Sequence, residues 1–319
     1  MIIMNNRRLN PVTGMIWVFL AFLMGCEQSD SGLPNDPGKT PYQTKNVVII
    51  VIDGPRFSET WGDPSKQYIP NLGKKLARQG VQYNWFYNNG PTYTTSGHTA
   101  LTTGRYQIMQ NDGTEFPHYP SLFQVWLSQT REDPNQAIII TGKEKLNVLA
   151  DCSHHQWRGK FNPICVADNR PDAETLKIAR SLLEQHHPQL LLIQFKGPDQ
   201  YGHANDWTSY LNSIIETDRY VNDIWEFLQN DPHYQNTTTL FVTNDHGRHL
   251  DNVRDGFVNH GDLCEGCLHI NLFAAGPDFK AGVTINTYRE LTDLAPTVAR
   301  LMGFTMPDAR GEFLSELFK

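Results

Sequence analysis

Asn46–Asp53 reads NVVIIVID, a run of branched aliphatic residues with no polar residue alternating among them, closed by an acid. A strand with one wet face alternates apolar and polar side chains. An unbroken run therefore marks a strand covered on both faces, as in a parallel sheet clad by helices. Ala137–Thr141 (AIIIT), Leu190–Phe195 (LLLIQF), Thr239–Thr243 (TLFVT) and Ile270–Ala274 (INLFA) are further candidate strands. Between them lie segments read as helices. Pro70–Gly80 (PNLGKKLARQG) carries Leu72 and Leu76 and stops at a glycine, and Thr94–Gly104 and Ser121–Gln129 follow. Asp172–His187 comes next, then Tyr210–Leu228 with apolar Ile214, Ile215, Val221, Ile224, Trp225 and Leu228, and Tyr288–Met302 closes the chain. Strands alternating with helices predict an α/β, three-layer sandwich around a mostly parallel central sheet.

Composition removes other classes. Of 319 residues, 39% are hydrophobic and 19% charged, which excludes a disordered, collagenous or coiled-coil chain. The formal charge is −7 with no basic stripe, which argues against a nucleic-acid scaffold role. Before the first strand the chain reads as an address. Arg7 and Arg8 precede an apolar run, Met15–Met24 (MIWVFLAFLM), of signal-peptide length and short for a bilayer span. The run ends in Leu23-Met24-Gly25-Cys26, which resembles a bacterial lipobox with Cys26 as the lipidated residue. Residues 1–25 are then a lipoprotein signal peptide, residues 26–45 a polar, Pro/Gly-containing flexible tether, and residues 46–319 a single domain. Glu27 after the cysteine points to the periplasmic face of the outer membrane of a bacterial cell envelope. In that oxidising compartment, Cys152 with Cys165 and Cys264 with Cys267 are the local disulfide pairings; the rival for the CxxC pair is a metal or redox site.

Ligands in such sheets bind at the carboxyl ends of the strands. Here those ends carry metal-type side chains. Asp53 ends the first strand; Asp199 and His203 follow Phe195 in GPDQYGH; Asp245 and His246 follow Thr243 in NDHG; His260 comes a loop later. Thr94 follows the Val81–Tyr87 segment. Three carboxylates and three imidazoles in these positions form a metal-site constellation, and mixed oxygen and nitrogen donors suit zinc or another first-row divalent ion better than calcium.

The segments VVIIVIDG, IPNLGKKLARQGV, PTYTTSGHTALTTGRY, PDQYGH, VTNDHG and TDLAPTVARLMG resemble the alkaline phosphatase superfamily. The nearest branch is the type I phosphodiesterase/nucleotide pyrophosphatase group, with looser likeness to sulfatases and cofactor-independent phosphoglycerate mutases. The resemblance runs from about Asn46 to Leu317. It implies two divalent ions, Zn2+ by preference with Mn2+ as the other choice. Asp53, Asp245 and His246, with the nucleophile Thr94, would hold one ion. Asp199, His203 and His260 would hold the other, with His249 and His269 as alternatives to His260. The branch pattern Pro-Thr-x-Thr-x-x-x-His places the attacking hydroxyl on Thr94, with Thr95 and Ser96 one and two positions on. A hydroxyl at a helix N-terminus suits a phosphate substrate, because backbone N–H groups and the helix dipole favour its oxygens. Asn111 is the candidate donor to a phosphate oxygen. The C/S-x-P-x-R pattern of type I sulfatases is missing from Thr94–His98, which lacks the proline and the arginine.

The resemblance thus implies a two-metal hydrolase of phosphoric esters working through a phospho-threonine. Its substrate would be a small phosphate ester or nucleotide-like molecule, and its membrane contact the N-terminal lipid anchor. A phosphomonoesterase is the alternative, although Arg56 and Arg105 are near the motifs in sequence only. A non-catalytic, metal-dependent binding lipoprotein is the reading from another class. Asp218 is expected to be structural or solvated, His98 to support the nucleophile from behind or to pack, and Lys143 and Lys196 to be ordinary exposed lysines, with steering of an anionic substrate as the other reading.

Overall fold

The structure is a computed structural model, and it describes residues 41–319. The expected signal peptide over residues 1–25, the expected lipidation site Cys26 and residues 26–40 of the expected tether lie outside the described residues. The last residues of the expected tether are docked rather than loose. Backbone N–H groups of Gln43 and Thr44 donate to the Asp278 carboxylate at 2.8 and 2.9 Å, and Thr44 is buried.

In chain order the elements are β1 (Asn46–Ile52), β2 (Val81–Tyr87), α1 (Thr94–Thr103), α2 (Leu122–Thr130), β3 (Ala137–Thr141), β4 (Ile164–Ala167), α3 (Asp172–His186), β5 (Leu190–Phe195), α4 (Gly197–His203), α5 (Trp207–Asn230), β6 (Thr238–Thr243), α6 (Glu265–Leu268), β7 (His269–Ala275), β8 (Val283–Ile285), β9 (Arg289–Glu290) and α7 (Leu294–Met302). One sheet holds the strands in the order β4-β3-β5-β1-β6-β7-β2-β8, with β9 beside β2. β1 is central and pairs in parallel with β5 and β6. All seven of its residues are buried, as the unalternated sequence requires. Val47, Ile49 and Val51 face a core shared with α1, α2 and α7. Val48, Ile50 and Ile52 face a core shared with α3, α5 and the helical segment at 71–78. Each such side chain contributes about 1.5–3 kcal/mol of burial, so the central strand alone anchors both layers.

β7 runs antiparallel to β6 and to β2. The carboxyl ends of β1, β2, β3, β5 and β6 therefore share one edge of the sheet with the amino end of β7.

Several elements depart from expectation for local reasons. Residues 71–75 are wound as a π-turn and 76–78 as a 3-10 turn, instead of an α-helix over 70–80. Gly73 there lies against Lys66, which a Cβ would meet at 2.8 Å. Asp218 on α5 accepts from the Asn71 and Leu72 backbone N–H groups at 2.9 and 2.7 Å, a structural role that caps this segment. The last helix starts at Leu294 rather than Tyr288, because Arg289 and Glu290 pair with β2 as β9. All four described cysteines are free thiols, against the expected Cys152–Cys165 and Cys264–Cys267 bridges. Cys152 is fully buried and Cys165 packs on the core from β4, so both fill apolar space. Cys264 and Cys267 bracket one helical turn beside an imidazole and a carboxylate. No described helix is long and apolar enough to cross a membrane.

Candidate active site

Asp53 and the pair Asp245-His246 leave neighbouring strands side by side. Asn244 ties the two strand ends together by donating to the Ile52 carbonyl at 2.8 Å. All three side chains are fully buried. Asp53 Oδ1, Asp245 Oδ2 and His246 Nε2 have no hydrogen-bond partner, and His246 Nε2 lies 3.5 Å from the first and 3.3 Å from the second. One orphaned buried polar atom costs about 1–3 kcal/mol. Three that converge could instead serve as the donor set of a divalent cation, which these residues fit. His246 Nδ1 donates to the Gly247 carbonyl at 2.9 Å, which leaves Nε2 with its lone pair toward that point. Burial pushes the His246 imidazole down to about 3, so it stays neutral. Burial, reinforced by Asp245, pushes Asp53 up to about 6. For Asp245 burial works in the same upward sense, but His246, His98 and Lys143 outweigh it and hold the carboxyl below its ordinary range.

The second group comes from α4 and a loop. Asp199 and His203 stand four residues apart on one helix face. His260 reaches them from residues 259–262, oriented by donation from Nδ1 to the Thr92 carbonyl at 2.6 Å. Its Nε2 lies 3.0 Å from His203 Nε2 and 3.2 Å from Asp199 Oδ1, and His203 Nε2 lies 3.3 Å from the same oxygen. The alternatives are elsewhere. His269 is stacked between Phe57 and Tyr87 and bonds the Asn84 carbonyl. His249 faces Asp255 and Asp262. Asp199 already holds two cations: the buried Arg248 donates to Oδ1 and Lys143 to Oδ2.

Thr94 opens α1, at 1% exposure, yet lines a cavity of about 620 Å³ together with Asn111, Lys143, Asp199, His203 and His260. Thr95 and Ser96 do not line it. The Thr95 hydroxyl donates to Asn111 Oδ1 at 3.0 Å, and Ser96 Oγ accepts from the Met109 N–H. Asn111 Oδ1 also takes the Thr95 N–H at 3.0 Å and Lys145 Nζ at 2.9 Å, so Asn111 caps the helix and only its Nδ2 is left to donate. His98 lies one turn on, with Nδ1 donating to the Thr94 carbonyl at 2.8 Å and lying 3.3 Å from Asp245 Oδ2. Gly97 permits this closeness, since a Cβ there would stand 2.5 Å from the Asp245 carbonyl oxygen.

Lys143 corrects the expectation of an exposed lysine. Its ammonium is buried at the centre, 2.8 Å from Asp53 Oδ2, 2.5 Å from Asp199 Oδ2 and 3.3 Å from Thr94 Oγ1. Burial would lower its proton affinity, but the surrounding Asp199, Asp53 and Asp245 raise it above the ordinary lysine range. The signal was available: Lys143 follows β3 as Asp53 follows β1, at the strand end where sites form. Lys145 and Lys196 also line the cavity. Arg248 had no such signal, because it sits beyond the NDHG motif in a loop. Arg56 is tied to Glu59 and Asp251 and Arg105 lies over Tyr119, both away from the cavity.

The family model described as sulfatase matches residues 45–304. A phosphopentomutase of Herpetosiphon aurantiacus is 30% identical over 156 residues, which is 48% of this chain and 36% of the mutase. The chain thus spans about a third of the length of that relative. A structure of an alkaline phosphatase superfamily protein from Vibrio parahaemolyticus superposes with a TM-score of 0.65 at 16% identity, covering 88% of this chain and 72% of the other. The murine ectonucleotide pyrophosphatase/phosphodiesterase 5 gives 0.60 at 17% identity, covering 86% of this chain and all of the other. At these identities the two structures show a shared fold.

Proposed function

The chain belongs to the sulfatase family, within the alkaline phosphatase superfamily fold, and from that premise we propose that it is a metal-dependent hydrolase of phosphoric esters with Thr94 as nucleophile. The observation that carries the proposal is that Lys143 Nζ stands 3.3 Å from Thr94 Oγ1, at the start of α1, and 2.8 Å from Asp53 Oδ2, which puts the hydroxyl beside the carboxylate whose other oxygen is orphaned together with atoms of Asp245 and His246. Asp53, Asp245 and His246 would hold one divalent ion and Asp199, His203 and His260 a second, with zinc the preferred metal for this donor set. Bound ions there supply Lewis acidity toward the attacking and leaving oxygens. The residues do the rest. The α1 N-terminus and Asn111 Nδ2 orient the phosphoryl oxygens. Lys143 Nζ, 3.3 Å from Thr94 Oγ1, favours the alkoxide form of that oxygen. Attack by Thr94 Oγ1 on phosphorus breaks one P–O bond and expels that leaving group, which takes up the equivalent of the proton Thr94 loses. The phosphoryl group stays on Thr94, as a phospho-threonine from a monoester or as its alkyl or nucleotidyl ester from a diester or pyrophosphate, and water then cleaves the Thr94–phosphorus ester.

The preferred substrate is a phosphodiester or nucleotide pyrophosphate, supported by the threonine in the Pro-Thr-x-Thr pattern and by the fold shared with the murine phosphodiesterase. A phosphomonoester is the second reading, favoured by Lys143, Lys145 and Lys196 in the cavity wall, which suit a dianion. The same proposal places the enzyme on a bacterial cell envelope through lipid on Cys26; a Cys26→Ala chain that still fractionates with membranes would refute that part. For the reaction, metal content is measured alongside hydrolysis of bis-p-nitrophenyl phosphate and p-nitrophenyl phosphate. Faster diester cleavage by the metal-loaded chain supports the first reading, and faster monoester cleavage moves it to the second. No turnover of either ester by a chain with its metal ions bound overturns both.

A further inference from the structure

A second cluster of metal-type ligands lies in the excursion between β6 and β7, with no part in the proposed chemistry. His249, Asp262, Cys264 and Cys267 each bring one donor atom into a group whose members all lie within 4.8 Å of one another. The sequence separates them as H-x12-D-x-C-x2-C, so no contiguous motif announces the set. The structure brings them together in two steps. The helical turn of α6 places Cys264 and Cys267 on one side, with the Cys267 N–H donating to the Cys264 carbonyl at 3.0 Å. The Asp262 carboxylate folds over that turn, Oδ1 accepting the Cys264 N–H at 3.0 Å.

The independent sign of a ligand is His249. Its side chain is 4% exposed, and its Nε2 lies 3.3 Å from Asp262 Oδ2 without forming a hydrogen bond to any group. Its other nitrogen, Nδ1, donates to Asp255 Oδ1 at 2.7 Å. A carboxylate on one ring nitrogen fixes the tautomer and aims the lone pair of the other, the arrangement found behind metal-bound imidazoles. Cys267 is fully buried and Cys264 half-buried, and both are free thiols.

We propose that His249, Asp262, Cys264 and Cys267 bind a structural divalent metal ion of the zinc class, distinct from the ions of the Thr94 centre. Four donors of two sulfurs, one nitrogen and one oxygen close a tetrahedral shell with no open position, the mark of a structural site. Donor atoms in such a shell stand about 3.3–3.8 Å apart, within the spread of this cluster. Binding releases one proton from each thiol. Two thiolates, one carboxylate and a divalent ion leave one negative charge, which the Arg254 guanidinium, 2.8 Å from Asp262 Oδ2, offsets. The ion would fasten the loop that presents His260. Asp255 joins His249 to Asn259, and Asn259 Oδ1 in turn accepts from His203 Nδ1 at 3.0 Å. The ion's existence does not depend on which ester the Thr94 centre cleaves.

The test uses the full chain, stripped of metal under reducing conditions and reloaded with cobalt(II). Thiolate ligands give an intense near-ultraviolet charge-transfer absorption that the all-oxygen-and-nitrogen Thr94 centre cannot give. The expected result is that band in the parent chain, its loss in Cys264→Ser, and one metal equivalent fewer in that variant after zinc loading. As a check that needs no variant, zinc should shield Cys264 and Cys267, and not Cys152 or Cys165, from alkylation read by peptide mass spectrometry. A reduced, folded parent chain without the band and without shielding overturns the proposal. So does a Cys264–Cys267 disulfide that persists when zinc is offered.

Discussion

Among individual residues, Lys143 decides how the centre behaves without metal. It neutralises Asp53 and Asp199 from one position, at 2.8 and 2.5 Å. Removing one partner of a buried pair strands the other charge, at a cost of about 3–5 kcal/mol. Lys143→Met is therefore expected to lower the metal-free chain's stability in urea by about 3 kcal/mol, and to lower the metal-loaded chain's by less, since cations then replace the ammonium. Equal losses in both states would refute this. Asp53 sets the acid limit of the first metal site. It titrates near 6 in the ion-free protein because burial and Asp245 disfavour its charge. Below that pH a metal must displace a proton, and above it none. Metal affinity should fall about tenfold per pH unit below 6 and be flat from 6.5 to 8, as read by competition with a coloured chelator. Thr94→Ala should reduce turnover on the order of 10³-fold or more while metal content is unchanged. Unchanged turnover would hand the attack to another group. The carboxylates and imidazoles at strand ends were legible in sequence because the strands themselves were. The partner choice among His249, His260 and His269 was not, because only loop closure over Thr92 decides which imidazole meets His203.

The helix α1 shows how an element can be both scaffold and site. Every residue from Thr94 to Thr103 is buried, so the helix has no solvent face and its first turn is held by Asn111 from outside. Gly97 is the contact point with the Asp245 loop. Gly97→Ala should destabilise the chain by about 1–3 kcal/mol through overpacking, and should weaken metal binding as well by displacing Asp245. A variant of parent stability and parent metal content would show that the loop yields freely. Elements whose pattern is continuous, such as β1, β3, β5 and β6, were read within a residue of their observed ends. The short edge strands β4, β8 and β9 were not singled out. β4 is half-buried along its length and β8 mixed, and two to four residues give no period to read. The winding of residues 71–78 was equally hidden, because it depends on Asp218 from α5 as a distant cap.

For the molecule as a whole, strand order was beyond the sequence, since nothing local marks β7 as antiparallel. Metal is expected to act on global stability, because three buried orphan atoms and several like charges lose their compensation without it. Chelation should lower the midpoint of thermal unfolding, and zinc at a hundred times its dissociation constant should add about 2.7 kcal/mol per site. An unchanged midpoint would mean the ions contribute nothing to the folded state. The reversed strand has one more effect. β6 leaves the sheet at the cavity edge and β7 re-enters at that same edge, so residues 244–268 depart and return without crossing the core. The excursion is a cantilever: it hangs from two adjacent strand ends and carries Asp245, His246 and His260 to the site. An insertion at its exposed tip, near Asn252, would lengthen it without disturbing a strand pairing or replacing a ligand.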